Sequence, residues 1–517
     1  MRTTAQMALC LASGLLLALA HPRAGLWPLA WVALVPWLTV AFTASRPVAV
    51  IGSLLAGFSF FGALMYWIAI FGYLPWALLA LIEGLAFPLT AVVARIAAPR
   101  SPWRVPAVGI AWVTWEFARG QGRFGMPWGQ VGHSQAPFSA LAQLAAFGGV
   151  PAISFVVVVV NAALAHVIAA RRAGGRRLAP LAGAIALTAA AVALGLVHAR
   201  EAAVPTAPDA RPPLRVALAQ ASVKTWLTVE ALNSPLTVEE QRSELAAYAR
   251  LTRQAAARGA TVIVWPESAV PGYLQYESAL RQAVTALARE LRVWLVVGGP
   301  SYELTRERAR PLQYNSAFAV SPRGEIAGRY DKVHLVPFGE YVPGRDWLPL
   351  LRYYRVRDYD IAPGASHHLL GAGGFAFAPM ICFESVFPDI ARREARMGAD
   401  ALIIITNDAW FLRTAAAAQH LQIGRFRAIE QGLPVVRAAS TGVSAFIAPS
   451  GRVTGSLGLM KRGLLVSQIR ARRADTVYRR IGPAFSVSCA AAAALWVAAA
   501  LVIRLARRRR GRGPWRG

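Results

Sequence analysis

Three short stretches place reactive side chains where β-rich or apolar runs end. The run that begins at Val262 ends in a Trp-Pro-Glu turn, which presents the carboxyl group of Glu267. Lys332 lies between a β-rich run and the apolar stretch Val-His-Leu-Val-Pro-Phe. Cys382 ends a third run, Pro379-Met-Ile-Cys382. Because layered α/β proteins collect reactive groups at strand ends, we expect these three side chains to form one site.

These residue types suit acyl transfer through a covalent intermediate. Cysteine attacks a carbonyl carbon as its thiolate, so it needs a base that takes the thiol proton. A carboxylate in an apolar setting can act as that base, and Glu267 fits this role. The attack creates an oxyanion that a fixed cation and a backbone N–H can stabilise. The candidates for these two groups are Lys332 and the N–H of Phe383.

Each of these residues also has an ordinary structural interpretation. Taken singly, Glu267 could cap a helix, Lys332 could be a surface charge and Cys382 could be a small buried side chain. The chain, however, carries arginine at all but three of its cationic positions. A lysine between Asp331 and an apolar stretch therefore favours a specific use of its compact ammonium group.

The cysteines and histidines do not predict a metal site. Cys10 and Cys489 lie in apolar runs, and the spacing of the cysteines matches neither a zinc site nor a disulfide framework. His334 and the pair His367-His368 lack acidic or cysteine partners at metal-binding spacing. We interpret these histidines as structural and expect no metal.

The composition indicates that part of the chain is solvated by lipid. Of its 517 residues, 56% are hydrophobic and 16% are charged, whereas soluble domains carry about 25% charged residues. Apolar runs of about twenty residues can cross a membrane as helices. We predict about eight such helices, at approximately 5–20, 25–43, 48–72, 74–98, 105–118, 148–170, 179–198 and 483–506. The run at 105–118 is short and could be re-entrant, and Glu83 is an acid within the fourth run that the sequence does not explain.

The arginines predict the orientation in the membrane. They supply most of the net charge of +29 and cluster beside apolar runs, which is typical of cytoplasmic loops. No basic stripe with interleaved aromatic residues accompanies them, so we expect no nucleic-acid partner. The first run resembles an uncleaved helix more than a signal peptide, because its basic region contains only Arg2. Seven helices with the amino terminus inside place residues of about 200–480 on the outer, periplasmic side.

These patterns divide the chain into five parts. They are a transmembrane bundle of about seven helices at 1–200, a Pro- and Ala-rich connector at 201–213, a periplasmic catalytic domain at 214–478, a transmembrane helix at 479–506 and a basic cytoplasmic tail at 507–517. In the catalytic domain, β-rich runs alternate with helical patterns, as in layered α/β proteins with strands buried on both faces. The predicted strands are 214–221, 262–267, 293–299, 316–321, 376–382, 401–407, 435–440 and 444–448. The predicted helices are 238–258, 277–290, 386–397 and 415–432.

Three motifs in a fixed order connect the chain with a known family. They are Trp265-Pro-Glu267, Tyr330-Asp-Lys332-Val-His-Leu-Val-Pro-Phe-Gly-Glu340-Tyr-Val-Pro and Ile381-Cys382-Phe383-Glu384. Together they resemble the Glu-Lys-Cys triad of the nitrilase superfamily, and their place between an apolar bundle and a final span is similar to its membrane-embedded branch. The resemblance covers essentially the whole chain. It implies an α-β-β-α sandwich in a bacterial inner membrane protein, without a metal or dissociable cofactor, in which Glu340 and Glu384 orient Lys332 and the cysteine loop.

The resemblance also implies a two-step reaction. Cys382 accepts an acyl chain from a phospholipid, usually phosphatidylethanolamine, as a thioester. The acyl chain then passes to the α-amino group of the amino-terminal cysteine of a diacylglyceryl apolipoprotein. Both substrates are amphiphiles, so the site needs an apolar entry close to the membrane. Four aromatic residues in predicted loops are candidates for this entry: Trp226, Trp347, Trp410 and Phe411.

Two other functions remain open. A membrane-anchored amidase of the same superfamily would share the acyl-enzyme and resolve it with water, so the triad does not separate the two. The apolar bundle favours acyl transfer, since hydrolysis of small amides needs no membrane anchor. A transport unit with a binding domain would instead require charged or broken helices at mid-membrane, where the runs offer few candidates beyond Glu83 and Glu116.

Overall fold

The chain forms two compact units. The computed structural model describes residues 3–97, 101–172, 178–203, 211–221, 237–304, 311–345, 360–471 and 475–510. One unit comprises Met1–Gln121, Gly125–His198 and Ile481–Gly517, and the other comprises Gly122–Phe124 and Ala199–Arg480. The first unit is helical, and the second combines strands with helices.

The helices of the first unit follow its apolar runs. They are α1 Thr3–Leu19, α2 Val35–Thr43, α3 Arg46–Leu64, α4 Tyr73–Gly84, α5 Ala86–Ala97, α6 Arg104–Ala118, α7 Ser139–Ala142, α8 Ala145–Gly148, α9 Val150–Arg172, α10 Ala179–Ala203, whose last residues belong to the second unit, and α16 Ala484–Arg510, with 3-10 turns at Trp27–Trp31, Tyr66–Phe71 and Val131–Gln135. Within the described ranges, five segments are long and apolar enough to cross a membrane: Arg46–Leu64, Tyr73–Ile96, Val150–Arg171, Ala179–Arg200 and Ala484–Ile503.

The predicted number of about eight spans stays a prediction. The run at 5–20 forms a helix of 17 residues, and the run at 105–118 forms one of 15 residues. The run at 25–43 divides into the turn Trp27–Trp31 and helix α2. These three segments are helical, but each helix is shorter than the roughly twenty residues that a straight span needs.

Glu83 is half of a buried ion pair inside the helical unit. Its Oε2 atom lies 2.8 Å from Nη1 of Arg119, and the two side chains are 5% and 4% exposed. Nη1 of Arg119 also donates to the carbonyl oxygens of Met126 and Trp128, at 2.7 and 2.6 Å. Because a buried charge needs a partner, this pair explains the acid that the sequence left unexplained. It ties helix α4 to the polar segment that follows helix α6.

The second unit contains twelve strands in its described part. They are β1 Leu214–Gln220, β2 Val262–Val264, β3 Trp294–Glu303, β4 Leu312–Val320, β5 Ile326–Asp331, β6 Leu370–Ala372, β7 Phe375–Ile381, β8 Ala401–Thr406, β9 Val435–Ala439, β10 Ser444–Ile447, β11 Val453–Leu457 and β12 Gly463–Ile469. The helices are α11 Val238–Ala257, α12 Ser278–Leu291, α13 Pro388–Arg396, α14 Ala416–Gln431 and α15 Val477–Ile481, with 3-10 turns at Cys382–Val386 and Asp408–Phe411. Each predicted strand and helix of this region has an observed counterpart.

The strands form two sheets with the same pattern. Their orders are β12-β1-β2-β3-β4-β5 and β11-β10-β9-β8-β7-β6. In each sheet three parallel strands, β1-β2-β3 or β7-β8-β9, continue into antiparallel neighbours. Parallel strands direct their carboxyl ends to one edge of the sheet, so the residues that follow β7 and β8 lie close together.

Apolar layers hold the sandwich together. A buried cluster that includes Val216, Val264, Phe377 and Ile403 fills the space between the two sheets. A second cluster packs α11 and α12 on the outer face of the first sheet, and α13 and α14 contact strands of the second sheet. The predicted α-β-β-α sandwich is therefore confirmed.

Candidate active site

Cys382 occupies a strained position directly after strand β7. Its φ angle is +54°, in the left-handed region that non-glycine residues rarely adopt. The side chain is half-buried. Burial and the charge of Glu267 raise the pKa of the thiol well above its ordinary range, and the opposing charge of Lys332 does not compensate. The resting side chain is thus a protonated thiol that needs a base.

Glu267 follows strand β2 and accepts two short hydrogen bonds. Oε1 accepts from Nδ2 of Asn315 at 2.7 Å, and Oε2 accepts from the backbone N–H of Asn407 at 2.6 Å. A Cβ atom at Gly298 would lie 2.6 Å from Cα of Glu267, so only glycine lets strand β3 pass this close. The carboxylate is therefore fixed from both sheets.

Lys332 is almost completely buried. Its side chain is 1% exposed, and Nζ lies 2.9 Å from Oε2 of Glu340 and 3.9 Å from Oε1 of Glu267. Burial lowers the pKa of Lys332, but the charges of Glu340 and Glu267 outweigh burial and leave the pKa above its ordinary value. The ammonium group is a permanent cation beside the carboxyl group of Glu267.

Glu340 connects Lys332 with Glu267. Its Oε1 accepts from Nδ2 of Asn315 at 3.0 Å, so this amide joins the carboxylates of Glu267 and Glu340. Its Oε2 accepts from the N–H of Val336 at 2.8 Å. Burial alone would raise the pKa of Glu340, but the charge of Lys332 and these bonds hold it below its ordinary value.

Glu384 fastens the loop that carries the cysteine. Its Oε2 accepts from the N–H of Ile381 at 2.7 Å, and its Oε1 accepts from the N–H of Val333 at 2.7 Å and from the hydroxyl of Tyr330 at 3.1 Å. The carboxyl group thus links the residue before Cys382 with the residue after Lys332. Burial raises the pKa of Glu384 to about 7, even though these N–H donors favour the charged form.

This raised pKa predicts that the free energy of unfolding depends on pH. Glu384→Gln should remove the part of this dependence that Glu384 contributes. Between about pH 4.5 and about pH 7 the folded chain keeps the Glu384 proton and the unfolded chain loses it. The free energy of unfolding should therefore fall by up to about 3 kcal/mol as the pH rises through this window, and level off above it. The measurement is the melting temperature in detergent micelles against pH.

The control for this comparison is Glu325→Gln, which removes an exposed carboxyl group. Glu384→Gln should melt with a smaller decline across the window than the control. Parallel declines for Glu384→Gln, the control and the unmodified chain would show that Glu384 contributes no such dependence.

Three of the five remaining predicted residues lie in the described part of the chain. Phe383 follows the cysteine, and its ring centroid lies 5.1 Å from that of Phe387. Trp410 and Phe411 belong to the 3-10 turn after strand β8, three and four residues after Asn407, whose backbone N–H donates to Glu267. Trp226 and Trp347 lie outside the described residues.

The histidines make structural contacts. Nδ1 of His367 lies 3.0 Å from Oε1 of Glu394, and Nε2 of His368 contacts the carbonyl oxygen of Arg329. The ring of His334 lies against that of Phe387 in a tilted arrangement, with centroids 3.9 Å apart. Glu394 belongs to helix α13, and Phe387 is the residue directly before that helix.

A buried network beneath Cys382 was not predicted. Nε2 of His420 donates to the carbonyl oxygen of Cys382 at 3.2 Å, and its Nδ1 lies 3.1 Å from Oδ1 of Asp408. Nη2 of Arg437 lies 2.9 Å from Oδ2 of Asp408, and the side chains of this ion pair are fully buried. Although burial alone would raise the pKa of Asp408, the charge of Arg437 and its hydrogen bonds lower it to about 2. Asp408 and Asn315 were detectable in principle, since each lies at or near a predicted strand end.

Two family models match the chain. The carbon-nitrogen hydrolase model matches residues 215–479, which include both sheets and the site. The model of the apolipoprotein N-acyltransferase N-terminal domain matches residues 13–163, within the helical part. Among solved structures, an amidase from Nesterenkonia sp. aligns at 21% identity with a TM-score of 0.39, covering 53% of this chain and 94% of the amidase.

Similar proteins extend over nearly the whole chain. The apolipoprotein N-acyltransferase of Geobacter metallireducens is 35% identical over 507 residues, 95% of this chain and 94% of the relative. That of Caulobacter vibrioides is 32% identical, over 92% of this chain and 91% of the relative. That of Bradyrhizobium diazoefficiens is 33% identical, over 84% and 79%. At this identity and coverage, the chain belongs to the apolipoprotein N-acyltransferase family.

Proposed function

We propose that this protein transfers an acyl chain from a membrane phospholipid to the α-amino group of the amino-terminal diacylglyceryl-cysteine of an apolipoprotein. The observation that carries the proposal is the gathering of Glu267 and Lys332 around the Cys382 thiol, in a chain of this family with five apolar helices of spanning length among its described residues. A membrane enzyme with a cysteine nucleophile can take an acyl group from one amphiphile and pass it to another.

The first half-reaction acylates Cys382. Glu267 takes the thiol proton as sulfur attacks the ester carbonyl carbon of the phospholipid, and the carbonyl electron pair moves to oxygen. Lys332 and the N–H of Phe383 stabilise this oxyanion. When the tetrahedral intermediate collapses, the lysophospholipid leaves as an alcohol with the proton from Glu267, and Cys382 keeps the acyl chain as a thioester.

The second half-reaction uses the same groups with a different nucleophile. The α-amino group of the apolipoprotein attacks the thioester carbon, and Glu267 takes its proton. A second oxyanion forms next to Lys332 and collapses to an amide. Glu267 then returns the proton to the departing Cys382 sulfur, which restores the thiol. The two steps give ping-pong kinetics without a cofactor.

Supporting residues keep these groups in place. Glu340 and Asn315 hold Lys332 and Glu267 at fixed distances, through contacts of 2.9 Å and 2.7 Å. Glu384 holds the cysteine loop through the N–H of Ile381. Because all three supports are hydrogen-bonded, the site is organised before the substrate arrives.

The two amphiphilic substrates define the proposed setting. The bundle at 1–200 and helix α16, which begins at Ala484 and not at the predicted position 479, anchor the protein in the bacterial inner membrane. The catalytic domain at 214–478 faces the periplasm, and the tail at 507–517 lies in the cytoplasm. Phosphatidylethanolamine is the proposed donor. Trp410 and Phe411 are half-buried and contribute to the acyl-chain entry, together with Trp226 and Trp347.

Glu267→Gln should lower the nucleophilicity of Cys382. The amide keeps the size of the side chain but cannot take the thiol proton, whose pKa burial has raised. We expect acylation to slow by about a hundredfold to ten-thousandfold, the usual contribution of a general base. Alkylation of Cys382 by iodoacetamide, followed by peptide mass spectrometry, measures the effect directly. Glu277→Gln, at the start of helix α12, is the matched control; equal labelling rates in both variants would rule out the role of Glu267.

The product of a complete reaction tests the proposed function. Purified protein in phosphatidylethanolamine nanodiscs is mixed with a diacylated lipopeptide whose amino-terminal diacylglyceryl-cysteine has a free α-amino group. We expect a mass increase of one acyl chain on the lipopeptide, attached through an amide that resists hydroxylamine. Release of free fatty acid with no modified lipopeptide would instead support an amidase-like hydrolase.

A further inference from the structure

Two arginines come shortly before the last apolar helix in the sequence. Helix α15 contains Arg479 and Arg480, and Arg480 is four residues before Ala484, where helix α16 begins. Four residues of extended chain span at most about 14 Å. Since α16 is long and apolar enough to cross a membrane, chain connectivity alone places Arg480 at or near the lipid headgroups.

Helix α13 brings further arginines to the same place. Arg392 donates from Nε to the carbonyl oxygen of Arg479 at 3.0 Å and from Nη2 to that of Arg480 at 2.7 Å. Arg396 follows one helical turn later on the same helix. The headgroup level defined by Arg480 therefore includes the carboxyl end of α13.

Arg396, Arg479 and Arg480 border an open groove with a surplus of positive charge. The groove has a volume of about 700 Å³, and its charged lining residues are Arg211, Arg396, Arg479, Arg480, Asp400 and Asp475. Four cations against two carboxylates leave two positive charges. Arg211 forms a two-point ion pair with Asp400. The other pair, Arg480 with Asp475, is 67% and 45% exposed, and such exposed pairs hold charges together only weakly.

The positive charges of these arginines repel one another, and apolar side chains flank the arginines. Burial and the charge of Arg396 lower the pKa of Arg392. Burial and the charge of Arg396 also lower the pKa of Arg479. A bound anion would relieve this repulsion. Met397 and Val477, next to these arginines, are 49% and 42% exposed. Exposed apolar side chains beside arginines are typical of a surface that contacts lipid headgroups, and a soluble anion would not require them.

We propose that this arginine groove binds the phosphate group of an anionic phospholipid at the membrane surface. The site is distinct from the reaction centre. Ala376, at the start of strand β7, lines the groove, whereas Cys382 follows the other end of that strand, about 20 Å away. The bound lipid is not a substrate in this role. It attaches the catalytic domain to the bilayer at a second point besides the chain connection to helix α16.

Lipid retention by the full-length protein tests the proposal. The protein is reconstituted in nanodiscs of phosphatidylethanolamine with phosphatidylglycerol, extracted into mild detergent, and the lipids that remain bound are identified by native mass spectrometry. We expect the unmodified protein to retain phosphatidylglycerol. The double variant Arg396→Gln/Arg480→Gln should retain it more weakly, with affinity lowered about fivefold for each arginine removed. The charge-conserving variant Arg396→Lys/Arg480→Lys should keep most of it.

The control removes two exposed arginines from the opposite outer layer of the sandwich, in Arg242→Gln/Arg250→Gln on helix α11. Equal retention of phosphatidylglycerol by this control and by Arg396→Gln/Arg480→Gln would overturn the proposal. So would displacement of the lipid by millimolar inorganic phosphate, which would identify a site for free phosphate. If the double variant does not fold, as judged by its melting temperature, Arg396→Gln alone gives the same comparison. The readout is lipid binding, so it does not depend on whether the acyl transfer proposed above is correct.

Discussion

Cys382→Ala should abolish both the acyl-enzyme and the transfer reaction. The side chain that forms the thioester is lost, and no other cysteine in the sequence lies outside the apolar runs. Loss of a nucleophile that forms a covalent intermediate lowers turnover by at least about ten-thousandfold. The measurement is the rate of lipopeptide acylation in phosphatidylethanolamine nanodiscs, together with the intact mass of the protein.

The matched control is Cys489→Ala in helix α16, which removes a buried cysteine far along the chain from the reactive group. It should keep full activity. Cys382→Ala should also retain its melting temperature within a few degrees, because alanine fits the space that cysteine leaves. Substantial lipopeptide acylation by folded Cys382→Ala protein would mean that the acyl chain passes directly between the two substrates.

Lys332→Arg should fail although the positive charge is kept. Nζ of Lys332 lies 2.9 Å from Oε2 of Glu340 in a site where the side chain is 1% exposed. The guanidinium group is larger and planar, so it cannot place a point charge at the same position. Misplacing the group that stabilises the oxyanion should lower kcat by about a hundredfold to a thousandfold. Quenched-reaction assays of thioester formation, and of thioester discharge by the lipopeptide, should both show the lower rate.

Lys461→Arg is the control, because this lysine is exposed and outside the site; it should leave both rates unchanged. The melting temperature separates a catalytic defect from unfolding. Arginine is preferred to a neutral residue at position 332, since a neutral residue would leave Glu340 and Glu267 as unpaired buried charges. A folded Lys332→Arg protein with full activity would exclude the oxyanion role of Lys332.

The sequence predicts the central strands of the sandwich and misses its edges. All eight predicted strands are interior or next to the edge, where both faces are buried and the apolar run is continuous. The four unpredicted strands, β5, β6, β11 and β12, are the four edge strands. Strand β11 alternates between half-buried and exposed residues, and most residues of β5 are half-buried. Neither strand contains an apolar run. Edge strands become recognisable only through their pairing partner.

The site was predictable where its residues follow strands. Glu267 and Cys382 come directly after buried apolar runs, which is a local signal, and Lys332 stands out because lysine is rare in this chain. The residues that hold this site in place give no such local signal. Asn315 contacts Glu267 across 48 positions, and Arg437 contacts Asp408 across 29. Such partners depend on how strands are placed in the sandwich, and no local pattern encodes that placement.

In the membrane part, too, the sequence predicts the elements but not the breaks within them or their long-range contacts. Apolar runs locate the helices, because lipid-facing helices must satisfy their backbone internally. Composition does not reveal where a run is broken, as at 25–43, where the turn Trp27–Trp31 precedes helix α2. The partner of Glu83 is also hidden, since Arg119 lies 36 positions away, beyond the end of helix α6.

The state of the Cys382 sulfur is the most direct test of the covalent mechanism. Protein purified from its membrane, or incubated with phosphatidylethanolamine, is digested and the peptide that contains Cys382 is analysed by mass spectrometry before and after hydroxylamine. We expect an acyl chain on Cys382 that hydroxylamine removes and that a diacylated lipopeptide accepts as an amide. If folded, active protein never carries an acyl chain on Cys382, even with phospholipid present and lipopeptide withheld, then Cys382 is not the acyl carrier and the covalent mechanism is wrong.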